Sequence, residues 1–407
     1  MKDEVFVVVG GGQAGGWIIK TLGAEGFSGR IVLIGEERHP PYERPPLSKN
    51  ALRDAEAVSE TALLSIENLV EANVESWLGE EVVEIDRSAQ TVRCASGREI
   101  RYDRLFLATG SRPRVPDWMA GQTSDRIHLL RTIDDAAALR SSLSGTKHLL
   151  IVGGGWIGLE VAATVRSLGI AVTVVEAAPR LCQRSVPEPV SDWLRALHES
   201  HGVAFVMGRS VVRLAVQPDG LMLELDDDTA RIADRVLVCV GAIPNVALGE
   251  LAGLDVSNGI LVDEFGGTSD PRIFAAGDVA CFPCCYAGQV TRRESWANAQ
   301  NQAIAAAKAA LGNHVRYADL PWLWSDQYGH NIQIAGLPER ATSTLYKAGP
   351  APGSGCWVGL DAQNHPVGAV GVDAPKLFRP ILKALKDNAD MDLSDWQPTH
   401  FCRGAAA

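Results

Sequence analysis

Two short glycine clusters carry the clearest chemistry in the chain. Gly10-Gly11-Gly12-Gln13-Ala14-Gly15 and Gly153-Gly154-Gly155-Trp156-Ile157-Gly158 both read Gly-x-Gly-x-x-Gly. In that spacing the first glycine permits a tight turn and the second lets the backbone approach a pyrophosphate, while the third lets a helix pack closely on the preceding strand. Phosphate charge then meets the positive end of the helix. An acid follows each cluster at ~20 residues, the separation at which a carboxylate reaches ribose hydroxyls: Glu36 after the first and Glu176 after the second. One such cluster is an ordinary glycine turn as readily as a nucleotide site; two, each with its acid, imply two dinucleotides. A flavin that stays bound and a nicotinamide that visits it suit that pairing. Glu176 favours NADH, because a carboxylate there accepts from both ribose hydroxyls and repels the extra phosphate of NADPH. Arg180, shortly after it, offers a cation for adenine or pyrophosphate. Cys281, Cys284 and Cys285 form a Cys-x-x-Cys-Cys cluster, the kind of thiol group a flavin disulfide reductase needs. Further ligands at a recognised spacing are missing, so no metal is expected.

These residues require strands that end at the glycines and helices that begin there. Val5 to Val9 and Ile31 to Ile34 serve the first cluster, and His148 to Val152 and Ala171 to Val175 the second. The repetition continues: Asp103 through Ala108-Thr109-Gly110 parallels Asp234 through Cys239-Val240-Gly241, each a buried strand ending at glycine. Asn331 to Ala335 and Trp357 to Leu360 read as further strands. At 407 residues, two or three domains are expected. A net charge of −11 argues against a general nucleic-acid role, which needs a basic footprint. The apolar start, Val5 to Val9, is too short for a signal-peptide core, and no run approaches the ~20 residues of a membrane span. A cytoplasmic protein with no membrane partner and reduced thiols is expected.

Beyond the repeats, the chain resembles the FAD-dependent ferredoxin reductases of bacterial ring-hydroxylating dioxygenase and cytochrome P450 systems, the group of putidaredoxin reductase and rubredoxin reductase. The resemblance rests on Pro41 to Lys49, Ala108 to Pro113, Leu130-Arg131-Thr132, Thr268 to Pro271, Ala276-Gly277-Asp278, Arg293 to Trp296 and Pro321 to Gln327. It implies an α/β fold with two Rossmann-like dinucleotide-binding domains plus a C-terminal α+β domain. Residues 1–110 and 245–320 would bind FAD, 111–244 NADH, and 321–407 would cover the flavin. For FAD it implies Gly10, Gly12, Gln13, Ala14, Gly15, Glu36, Arg44, Lys49, Val82, Ala108, Thr109, Gly110, Arg131, Gly277, Asp278, Glu294, Ser295, Trp296 and Trp324. For NADH it implies Gly153, Gly155, Trp156, Ile157, Gly158, Glu160, Glu176, Arg180, Val240 and Gly241. Lys49 and Glu160 would meet beside the flavin N5, where a positive charge stabilises the flavin as hydride arrives. Trp156 is equally an aromatic gate for the nicotinamide and a core residue.

The resemblance makes the acceptor a [2Fe–2S] ferredoxin. A peroxide or disulfide reductase using the cysteine cluster, and an NADH-responsive redox sensor like apoptosis-inducing factor, stand as alternatives; fast ferredoxin-dependent cytochrome c reduction separates the first reading from both. Ferredoxins are acidic and so is this chain, so a local basic patch must steer docking. Lys376, Arg379, Lys383 and Lys386 are spaced to share one helical face, with Pro380 either kinking the helix or marking its start. Arg292 and Arg293 form a second candidate patch.

Overall fold

Each glycine cluster lies at the end of the central strand of a parallel sheet. The computed structural model covers residues 3–389 and 391–399. Its contacts divide the chain into two compact units. The first comprises Met1–Pro45, Ala57–Arg112 and Ala242–Asp319; the second comprises Pro46–Glu56, Pro113–Gly241 and Leu320–Ala407.

In the first unit, five parallel strands lie in the order Ile273–Ala275, Arg104–Leu107, Val5–Val9, Arg30–Gly35, Val74–Leu78. Val7, Val8, Val32, Leu33, Leu105 and Phe106 are fully buried, which explains runs that are apolar throughout instead of alternating. The order reverses beside Val5–Val9, the place where such sheets leave a crevice at their carboxyl ends. Helix Gln13–Ala24 and helix Trp296–Ala310 share one core, Ala14, Ile18 and Leu22 from the first with Ala299, Ala303 and Ala306 from the second. Small side chains on the second helix let the backbones approach. A three-stranded antiparallel sheet, Val82–Asp86, Thr91–Cys94 and Glu99–Arg101, lies in sequence between the third and fourth parallel strands.

The second unit repeats the plan. Its parallel sheet runs Val203–Met207, Ala171–Glu176, His148–Val152, Arg235–Val238, Ile127–His128, and it too carries a three-stranded antiparallel insertion, Val211–Gln217, Gly220–Leu225 and Ala230–Ala233. The same unit holds a six-stranded antiparallel sheet that begins with Trp322–Gln327 and His330–Gly336. Helix Pro375–Asp387 packs Phe378, Ile381 and Leu385 inward, and a Cβ at Gly371 would lie 2.8 Å from the Phe378 ring. Pro380 lies inside this helix and does not mark its start; Pro375 holds the first turn, where a missing N–H costs nothing. Lys376, Arg379, Lys383 and Lys386 are all exposed. Among the described residues, no helix is long and apolar enough to cross a membrane.

Candidate functional site

Sterics at the glycines show why no other residue serves. Gly10 has φ +112° and Gly153 φ +111°. A Cβ would lie 2.2 Å from the Ala108 carbonyl oxygen in the first case and 2.3 Å from that of Cys239 in the second. At Gly15 and Gly158 a Cβ would fall 2.0 and 2.2 Å from the carbonyl oxygens of Gly10 and Gly153, so each helix is pressed onto its turn. The middle glycines differ. Around Gly155 nothing lies within 4 Å of the Cβ position, and at Gly12 only the Arg44 guanidinium does, at 3.7 Å. Gly12 and Gly155 are N-caps, and neither helix has a side-chain cap. Open space above uncapped helical N–H groups fits a pyrophosphate, in each unit.

Some of the implied residues meet around the first turn, Arg44 beside Gly12 and Gly277 beside Ala14. Arg44, three-quarters buried, donates to Glu37 Oε1 at 2.7 Å and to the Tyr42 hydroxyl at 2.9 Å, and Tyr42 donates to Glu37 Oε2 at 2.5 Å. Burial pulls its pKa down, but Tyr42, Glu37 and Asp278 outweigh this and hold it above the ordinary value, making it a fixed cation. Gly277 packs its α-carbon side against Ala14, where a Cβ would sit 3.1 Å from the Ala14 methyl, and its N–H donates to Gln302 Oε1 at 2.8 Å. Asp278 accepts from Ser111 at 3.0 Å. With its amide oxygen toward the indoles, Gln13 accepts from Trp296 Nε1 at 2.9 Å and Trp17 Nε1 at 3.1 Å. Ser295 caps the helix that Trp296 opens. Glu36 is exposed at its strand end, and Val82 is buried opposite Cys94. Thr109 and Gly110 are laced by Asn245, which donates to the Thr109 carbonyl at 2.8 Å and, through its backbone, to that of Gly110 at 2.9 Å. Asn245 escaped sequence reasoning, although Gly241-Ala242-Ile243-Pro244 just before it repeats Gly110-Ser111-Arg112-Pro113. Glu294 pairs with Arg292, which is 9% exposed and also donates to the Asp278 carbonyl. Arg292 is therefore internal, and the second docking patch loses one of its two charges.

Lys49, Arg131 and Trp324 belong to the second unit. Lys49 Nζ lies 2.7 Å from Glu160 Oε2, joining the two residues the resemblance singled out. Glu160 is 7% exposed, and its carboxylate also accepts from the hydroxyls of Ser48 and, at 2.6 Å, Ser325. Neither serine was chosen from sequence, though both stand in the motifs that carry the resemblance. Arg131 precedes a capping box, its backbone N–H donating to Asp135 at 2.9 Å. Trp324 stacks on Trp322 with ring centres 5.4 Å apart and donates to Asp326 at 3.1 Å.

At the second turn, Glu176 accepts from the backbone N–H of Gly154 at 2.5 Å and of Ala178 at 2.7 Å, so it braces the glycine cluster from its strand end. Arg180 turns away to the carbonyl of Val186 at 2.6 Å and the hydroxyl of Ser191 at 3.0 Å. The nearest guanidinium to Gly241 among the neighbours of its Cβ position is that of Arg184, at 3.6 Å. Trp156 packs against the core cluster that includes Leu159, Leu181 and Val186, with its indole N–H buried and without an acceptor. Ile157 is exposed at the helix start.

The thiols are poorly placed for redox work. Cys281 and Cys284 are buried on strand Ala280–Cys284, Cys285 is exposed, and none is in a disulfide. Burial pushes the Cys281 thiol up, carries that of Cys239 to about 12 and pushes that of Cys182 higher still, all away from the reactive thiolate.

Comparison with known proteins agrees with this geometry. A family model described as "Pyridine nucleotide-disulphide oxidoreductase" matches residues 5–303, and one described as "Reductase C-terminal" matches 322–399. The chain is 40% identical over 377 residues, 92% of either protein, to the ferredoxin–NAD(+) reductase component of the anthranilate 1,2-dioxygenase system of Burkholderia cepacia. It superposes with a TM-score of 0.91 on the ferredoxin reductase for the CYP199A2 system from Rhodopseudomonas palustris, at 33% identity over 96% of both chains. Putidaredoxin reductase, in its covalent complex with putidaredoxin, gives the same TM-score and identity over 95% of this chain and 94% of its own.

Proposed function

The chain belongs to the pyridine nucleotide-disulphide oxidoreductase family, and from that premise we propose that it is an FAD-dependent NADH:ferredoxin reductase. Its acceptor is a [2Fe–2S] ferredoxin serving a Rieske oxygenase or a cytochrome P450, and its place is the cytoplasm, beside its NADH supply. The observations that carry the reading are the two uncapped glycine-turn helices, one in each unit, and the Lys49–Glu160 ion pair of the second unit. Residues 1–110 and 245–320 take FAD, 111–244 take NADH, and 321–407 form the flavin's cover.

When bound, FAD supplies the conversion between a two-electron hydride and single-electron delivery. Protein groups do the rest. The N–H groups after Gly12 and Arg44 hold the diphosphate, Glu36 accepts from the adenine ribose, and Asp278 holds hydroxyls toward the ribityl side. The Lys49 ammonium, kept in place by Glu160, would supply the positive charge that favours a reduced flavin. Trp296 and Trp324 exclude water and oxygen. Glu176 takes the adenosine ribose of NADH from its position beside Gly154.

The test is an anaerobic NADH titration of the FAD-loaded protein, followed by cytochrome c reduction with and without a [2Fe–2S] ferredoxin. Flavin bleaching by NADH, with cytochrome c reduced only when ferredoxin is present, is expected. Equal cytochrome c reduction without ferredoxin would remove the acceptor assignment.

A further inference from the structure

A chain of buried polar groups runs from the Lys49–Glu160 pair to the end of a helix the nucleotide reading does not use. Ser325, fully buried, donates to Glu160 Oε1 at 2.6 Å. Gln327, 2% exposed, donates through Nε2 to the Ser325 oxygen at 2.9 Å. Its Oε1 lies 2.7 Å from His198 Nε2, and His198 Nδ1 lies 3.2 Å from the Tyr328 hydroxyl. Ser325 and Gln327 share one face of strand Trp322–Gln327, as residues two apart must, and His198 lies in the last turn of helix Glu188–Ser200.

Donors and acceptors fix the sense of every link. The Ser325 hydroxyl has one proton, and Gln327 already donates into its oxygen, so that proton is left for Glu160. Gln327 must then present its oxygen to His198, which donates from Nε2 and accepts at Nδ1 from Tyr328. All the donors point toward Glu160. Burying a hydroxyl, an amide and an imidazole costs desolvation at each, and apolar groups of the same shape would fill the space more cheaply. Burial holds His198 neutral, its pKa lowered to about 4, although a helix C-terminus favours a charged histidine.

We propose that Tyr328, His198, Gln327 and Ser325 are positioning residues: their one-way hydrogen-bond chain commits the Ser325 proton to Glu160 and keeps that carboxylate aimed at Lys49. The inference rests on the role given to Lys49 and Glu160 above. It predicts that breaking a link slows hydride arrival without weakening NADH binding, since none of these four side chains is given a nucleotide contact.

The experiment uses the FAD-loaded protein in single-turnover reduction by NADH. Ser325→Ala removes the link. Gln327→Glu keeps the shape but offers an acceptor where Ser325 now meets a donor, drawing the serine proton away from Glu160. Loss of one hydrogen bond to a charged group predicts a limiting reduction rate about tenfold lower or more in either variant, with the NADH dissociation constant unchanged within twofold. Ser325→Thr, which keeps the hydroxyl, should restore most of the rate. Independently of turnover, ¹⁵N-histidine NMR of the native protein should show His198 protonated at Nε2 and bare at Nδ1. The opposite tautomer would mean the chain runs the other way and would overturn the proposal. Native rates in both Ser325→Ala and Gln327→Glu, with fold and FAD content intact, would do the same. If those variants are unaffected while Glu160→Gln is slow, the relay alone fails; if Glu160→Gln is also unaffected, the Lys49–Glu160 role on which it rests fails with it.

Discussion

The Glu176 carboxylate and the backbone N–H of Gly154 are hydrogen-bonded at 2.5 Å, so the residue read as the NADH selector also braces the turn proposed to bind the pyrophosphate. Its substitution therefore has two effects. NADH should outcompete NADPH widely in kcat/KM. In Glu176→Ala the preference should narrow while KM for NADH rises, and steady-state kinetics with both nucleotides separates the two. Equal use of both by the native protein would remove Glu176 from this role.

Gly10→Ala and Gly153→Ala place the same intruding methyl against a carbonyl in different units. Their phenotypes should differ. The first is expected to purify with little or no flavin, and the second to keep flavin that NADH reduces at least tenfold more slowly. The ratio of flavin to protein absorbance, then stopped-flow bleaching, provides the check.

For the cysteines, the expected result is indifference. Replacing Cys281, Cys284 and Cys285 together by Ser should leave NADH-to-ferredoxin turnover within a few-fold of native. Two of the three are buried, so about 1–3 kcal/mol of stability should be lost for each hydroxyl left without a partner. Loss of turnover with flavin retained would revive a thiol mechanism.

Acid should weaken the protein through His198. Its pKa is lowered in the folded state from 6.5 to about 4, mainly by burial, with Phe205, Tyr328 and His201 around the ring. The folded state thus binds fewer protons between those values. Stability is complete above pH 6.5 and falls as pH drops toward 4, by roughly 2 kcal/mol at pH 5. Urea unfolding at pH 7 and pH 5, compared with His198→Gln, should show this slope reduced in the variant.

Docking should depend on Lys376, Arg379, Lys383 and Lys386, exposed on the helix that buries Phe378, Ile381 and Leu385. Ferredoxin KM should rise steeply with ionic strength, and charge reversal at these positions should raise it at low salt. Ferricyanide reduction, which needs no protein docking, should be far less affected. An unchanged ferredoxin KM in the reversed variant would exclude this surface.

The two glycine turns were legible because their signal is local. A strand buried on both faces is apolar at every position, and the turn that ends it admits only glycine, as at Val5–Val9 with Gly10 and His148–Val152 with Gly153. Pairing of Lys49 with Glu160 was legible only through resemblance. Ser325 and Gln327 were not recognised, because the partners that give them a role stand 165 and 129 positions away and leave no periodicity behind. Arg180 has the right spacing to Glu176, but its guanidinium donates to Val186 and Ser191, partners that spacing alone does not reveal.

The bare helix starts at Gly12 and Gly155 have a thermodynamic corollary. Each helix is left without a protein side chain to finish its first turn, and on the proposed reading a bound phosphate would complete the hydrogen bonding. Nucleotide supply then becomes part of conformational stability: a ligand at a hundred times its Kd adds about 2.7 kcal/mol to the free energy of unfolding. Heat resistance of the protein is thus a function of its cellular surroundings. A chain synthesised under flavin starvation would be more prone to proteolysis, so its abundance would follow the cofactor that makes it active.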